Sequence, residues 1–203
     1  MKNCEDLLRI FHPIACALNK MQRNTTTLGE AVEIWIELLG NIPKEVGGRD
    51  EVVQRSKQAL DCPFFLLANV LDPRFTGSRL SPEQIDKARK FTEEEGPEVA
   101  LALNLYLARA PPFRESMFHP NADPVPWWHV GKLSGFPSEL CCLALRLSGC
   151  GASTASLERN FSTMNFVYGQ KRTSLGVEKA GKLTFLFRAL NPSASPACDS
   201  DSD

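Results

Sequence analysis

Apolar residues return every three or four positions along almost the whole chain, and nowhere do they alternate with polar ones over a long run. That period commits the sequence to helices with one buried face and argues against a sheet, so the expected fold class is mostly α. From Cys4 to Met21 the pattern is carried by Leu7, Ile10, Phe11, Ile14, Ala17, Leu18 and Met21. Pro13 sits inside it and is expected to kink this helix or end its first part, because proline removes a backbone donor and clashes with the preceding turn. In NTTTLGEAVEIWIELLG, threonine caps precede Leu28, Val32, Trp35, Ile36 and Leu39, with Gly40 as the expected stop.

A third helical pattern runs from Glu51 to Leu60. Phe64 to Leu71 is then nearly all apolar, a run that periodicity alone assigns to a buried strand or a buried helix. Helix is favoured, because its neighbours are helical and Ala68 and Asn69 are poor strand residues. After the turn-rich LDPRFTGSRL, Ser81-Pro82-Glu83-Gln84 reads as a cap with proline at the first helical position, opening helices at about Pro82 to Glu94 and Pro97 to Ala110.

Five prolines (Pro111, Pro112, Pro120, Pro124 and Pro126) exclude continuous helix between Ala110 and Trp128 and make this stretch the expected boundary. Beyond it, Leu140, Leu143, Ala144 and Leu147 form the i, i+3, i+4, i+7 set of a core-facing helix, and Leu183, Leu186, Phe187 and Leu190 form another from Val177 to Leu190. The resulting division is a helical region over 1–110, a Pro-rich connection over 111–126, C-terminal helices over 127–190 and a disordered acidic tail over 191–203.

Composition narrows function mainly by exclusion. A formal net charge of −1 gives no global attraction to nucleic acid or anionic membrane, so any basic surface must be local. No apolar run reaches the ~20 residues of a membrane span, and MKNCEDLLRIFHP has charges where a signal peptide needs an apolar core. An intracellular protein without a membrane partner is expected. The seven cysteines are odd in number, scattered and expected to be reduced. No C-x-x-C pair occurs, and the three histidines offer no zinc-ligand spacing. Trp127 and Trp128 read as packing anchors rather than base-stacking platforms, and Cys141 and Cys142 as small hydrophobes on an apolar helix.

One stretch carries more. On a helix from Thr154 to Tyr168, Leu157, Phe161, Met164 and Tyr168 share a stripe suited to a core or a dimer contact, while Glu158 falls on an adjacent polar strip. Taken alone, Glu158 is a carboxylate favoured by the helix dipole within the first two turns. From Cys150 to Leu190 six cations stand against two anions, and Arg159, Lys171 and Arg172 are the candidate phosphate contacts in this locally basic strip. A solvated helix face explains the same count.

The pattern of Ser153, Glu158, Arg159, Phe161, Ser162, Arg172 and Leu175 resembles the C-terminal signature of the hAT superfamily of DNA transposases. PWWHVGKLSGFPSELCCLAL is similar to the tryptophan-containing lead-in of that signature, and ANVLDPRFTG resembles a segment of the family's helical insertion region. The likeness extends from about Phe11 to Leu190. It implies a helical insertion-region fragment followed by the C-terminal helices of an RNase H-like transposase domain, with the last segment acting in dimerisation.

In such transposases two aspartates and one glutamate hold two divalent metal ions, which clamp the attacking and leaving oxygens of a phosphodiester displacement. By its place in the motif Glu158 corresponds to that glutamate. The two aspartates and the family's zinc finger are not visible here, and Asp72 belongs to a turn of the insertion region. One carboxylate of three builds no two-metal site, so no cofactor is expected for the chain alone, and Mg only within an intact transposase. Two readings fit: a fragment of a longer transposase-like protein, or a short domesticated derivative that keeps the helical and dimerisation portions. Either makes the chain a homodimerisation module, with DNA engaged through a parent protein. The alternative is the last part of an active transposase, with Glu158 as its third metal-binding carboxylate. The resemblance also implies residence in the nucleus.

Overall fold

A computed structural model of the chain describes residues 2–43, 49–153 and 177–190. Among them are nine α-helices, one short 3-10 turn and no strand, so the chain is mostly α. The chain divides into two compact units, Met1–Ala152 and Ser153–Asp203.

The first unit is built around α4 (Pro63–Leu71). This is the run that could be read as strand or helix, and it is a helix in which Leu66, Leu67, Ala68, Asn69, Val70 and Leu71 are all buried. A helix apolar all round has to be enclosed. Around it stand α2 (Leu28–Asn41), α3 (Arg49–Leu60), α5 (Pro82–Glu95) and α8 (Ser138–Ser148). At the α2–α4 crossing a Cβ on Gly29 would stand 2.9 Å from the Ala68 carbonyl oxygen, so glycine permits the close approach. α6 (Pro97–Leu107) packs against α5 and α8, and α7 (Pro124–Leu133) against α8.

Local signals set most helix starts. Thr27 and Glu30 form a reciprocal capping box on α2, and Ser81 and Gln84 another on α5, each satisfying backbone donors that a first turn leaves open. The end of α2 follows a tertiary contact instead. α2 continues past Gly40 to Asn41, and the Arg49 guanidinium donates to the Leu39 and Ile42 carbonyls, so a side chain from α3 satisfies the terminus that glycine was expected to close. α1 (Lys2–Met21) runs through Pro13 without ending there, and Ala17 joins Ile34, Leu38 and Ile42 in a satellite core.

The Pro-rich stretch does not separate two cores. Phe113 within it is fully buried in the same cluster as Leu103, Tyr106, Trp128 and Leu140, a 3-10 turn spans Glu115–Met117, and the compact units part at Ala152 instead. Pro124 and Pro126 lie inside the first turn of α7, capped by Asp123. Proline is tolerated there because first-turn N–H groups lack intrahelical acceptors. In the second unit the described element is α9 (Val177–Leu190).

Candidate interaction surface

The turn Leu71-Asp72-Pro73-Arg74-Phe75 is a structural hub. Asp72 is almost wholly buried, and its Oδ1 accepts the Arg74 backbone N–H at 3.0 Å. Arg74 returns two side-chain bonds, from Nε to Asp72 Oδ1 at 2.9 Å and from Nη2 to Oδ2 at 2.7 Å, while its Nη1 donates to Glu30 Oε1 at 2.7 Å. The other oxygen of Glu30 accepts the Thr27 N–H at 3.0 Å. One carboxylate thereby completes the α2 cap and ties that helix to the turn. These bonds, led by those to Asp72, hold the Arg74 guanidinium above its ordinary pKa. Asn69 adds a second tie, donating from Nδ2 to the Gly29 carbonyl at 3.0 Å and to Glu33 at 2.9 Å.

The hub also meets the tryptophan pair. The Trp128 indole N–H donates to the Leu71 carbonyl at 2.9 Å across 57 residues, and the Trp127 indole donates to Met117 at 2.9 Å. Both rings belong to an aromatic cluster with Tyr106, Phe113, Phe118 and Phe136, with Tyr106 stacked on Trp128 at 5.6 Å. The two tryptophans pack as anchors, Trp128 wholly buried and Trp127 partly so. Thus the two sequence segments, LDPRF and PWW, are joined by one buried hydrogen bond. The T-x-x-E and S-x-x-Q boxes were visible in sequence, but the pairing of Glu30 with Arg74 had no local signal.

The cysteine expectation holds for one residue of the pair. Cys141 is buried, whereas Cys142 is exposed with its Sγ 3.6 Å from Lys132 Nζ. Leu140, Leu143, Ala144 and Leu147 define the buried face of α8, and Cys142 sits about 150° from its centre at 100° per residue. Burial pushes the Cys141 thiol up to about 11 from 9.0. In the folded protein at pH 8, a thiol reagent should modify Cys142 and Cys150 and spare Cys141 until unfolding, as peptide mass mapping would record. Ionisation of Cys141 then costs nothing below about pH 9, and stability falls as pH rises from there toward 11, because the unfolded chain releases this proton first. On α1, the i, i+4 spacing brings His12 Nε2 to 3.7 Å from Cys16 Sγ. Among the described residues no group of three or more His, Cys, Asp or Glu side chains is arranged to hold a metal ion.

Of the residues singled out in sequence, Leu157, Glu158, Arg159, Phe161, Met164, Lys171 and Arg172 lie outside the described residues. So does the side chain of Phe187. The remaining members of that set are on α9, where Leu183, Leu186 and Leu190 are exposed at i, i+3, i+7 spacing. That places three leucines on one stripe of the helix. Phe185, not anticipated, is exposed as well. No helix among the described residues is long and apolar enough to cross a membrane.

Residues 102–190 match the model of the hAT family C-terminal dimerisation region. The matched segment begins inside α6, ahead of the Pro-rich stretch, and includes the tryptophan pair, α8 and α9. No curated protein matches the chain.

Proposed function

We propose that this chain is the dimerisation module of a hAT transposase-like protein, joining two copies of itself and carrying no catalytic activity of its own. The carrying observation is the match to a dimerisation region over 102–190, within which α9 presents Leu183, Leu186 and Leu190 outward. An exposed leucine stripe gains free energy when a second apolar face covers it, at about 25 cal/mol per Å². In this reading Leu157, Phe161, Met164 and Phe187 add to the same apolar contact. Glu158 is the remnant of a metal-binding carboxylate from an RNase H-like ancestor, and Arg159, Lys171 and Arg172 are the candidate phosphate contacts. The protein then acts in the nucleus and reaches DNA through a parent protein, where Mg would serve only an intact site.

The test is Leu186→Asp in the full chain. An unpaired carboxylate is costly to bury in an interface. The variant should raise the dimer Kd roughly thirtyfold or more, the effect of about 2 kcal/mol at an interface hot spot, as read by sedimentation equilibrium. An unchanged Kd with an unchanged circular dichroism spectrum contradicts the assignment of α9 to the contact.

A further inference from the structure

We propose that His12 and Cys16 form a two-point binding site for a zinc-type divalent cation on α1, at the edge of a cleft against α2. The site lies outside the segment matched to a dimerisation region and does not depend on self-association. Residues four apart on a helix stand one above the other on the same face, the arrangement by which two side chains of one helix grip a single metal ion. His12 Nε2 is 3.7 Å from Cys16 Sγ. Tetrahedral zinc, with sulfur at about 2.3 Å and imidazole nitrogen at about 2.0–2.1 Å, sets those two donors about 3.6 Å apart. The pair therefore already has the bite the ion requires.

The donors select the ion. Thiolate and imidazole suit zinc, whereas magnesium and calcium take oxygen ligands. Binding is an exchange of cations at one point: the thiol releases its proton, sulfur–metal and nitrogen–metal bonds form, and no electron is transferred. Both side chains are exposed, so the ion reaches them without any opening of the fold. Ala17, next to Cys16, is buried with Ile34, Leu38 and Ile42, which fixes this turn of α1 against α2. The cleft beside the pair encloses about 340 Å³ and is lined further by Lys20, Glu37 and Asn41. It leaves the ion's remaining positions to water or a small ligand. Lys20 does not oppose a cation there, because its ammonium is held by both Glu37 oxygens at 2.9 and 2.7 Å.

The experiment uses the full chain, kept reduced by a phosphine, and Zn²⁺ as the probe. Isothermal titration should show binding with a Kd on the order of 10 µM, about half the binding free energy of a four-ligand site. His12→Ala and Cys16→Ser should each weaken it at least tenfold, while Cys142→Ser, whose thiol faces the Lys132 ammonium, leaves it unchanged. A second readout needs no variant: saturating Zn²⁺ should slow alkylation of Cys16 at least tenfold and leave Cys142 at its metal-free rate, as peptide mass mapping records. Unchanged affinity in either the His12→Ala or the Cys16→Ser chain overturns the site, and so does alkylation of Cys16 at the same rate with and without the ion. Neither result bears on whether the chain dimerises.

Discussion

Trp128→Ala is expected to lower the stability of the Met1–Ala152 unit by about 3–5 kcal/mol, the range for removing a buried tryptophan. Trp128 is 0% exposed and is among the largest fully buried side chains of the unit. It fills the space between Tyr106, Phe113 and Phe136, and its loss leaves a cavity among rings too rigid to collapse into it. The same change strips the Leu71 carbonyl of its donor at the base of the LDPRF turn. Trp128→Phe separates the two contributions, keeping most of the ring volume while deleting the indole N–H, and should cost about 1–3 kcal/mol. Urea denaturation followed by circular dichroism measures both, provided the m value stays constant.

Arg74→Met is the second large effect, expected at about 3 kcal/mol. Breaking a buried pair from one side leaves its partner charge without compensation, and the Asp72 side chain is 4% exposed. Glu30 is more accessible and keeps its capping bond, which holds the value to the lower end of the usual range. Joining Arg74→Met to Asp72→Asn should recover part of the loss, because the stranded carboxylate is then neutral. Strict additivity of the two changes in a double-mutant cycle would contradict the coupling. Arg74→Lys should also destabilise, since an ammonium cannot span Asp72 and Glu30 with a planar fork.

These two residues also mark where sequence reading reaches its limit. The helices were legible because each depends on a periodic stripe or on a cap within four residues: Ser81 with Gln84, Thr27 with Glu30, and the leucines of α8. Even the ambiguous α4 run was decided by Ala68 and Asn69 in the middle of it. Contacts across 44 residues, such as Arg74 with Glu30, have no such mark. The prolines misled for a related reason. A proline count excludes helix interiors but permits a first turn, and Pro124 and Pro126 occupy the first turn of α7. Cys142 was misplaced because its helix was treated as apolar throughout, although the period that buried Leu143 already turned Cys142 outward. The stripe of Leu183, Leu186 and Leu190 on α9 was readable from its spacing.

Association of two copies of this chain is read by light scattering coupled to size-exclusion chromatography on the full chain at tens of micromolar. The expected mass is about twice the 22.5 kDa of one chain. A single species at 22.5 kDa under those conditions rules the dimer out.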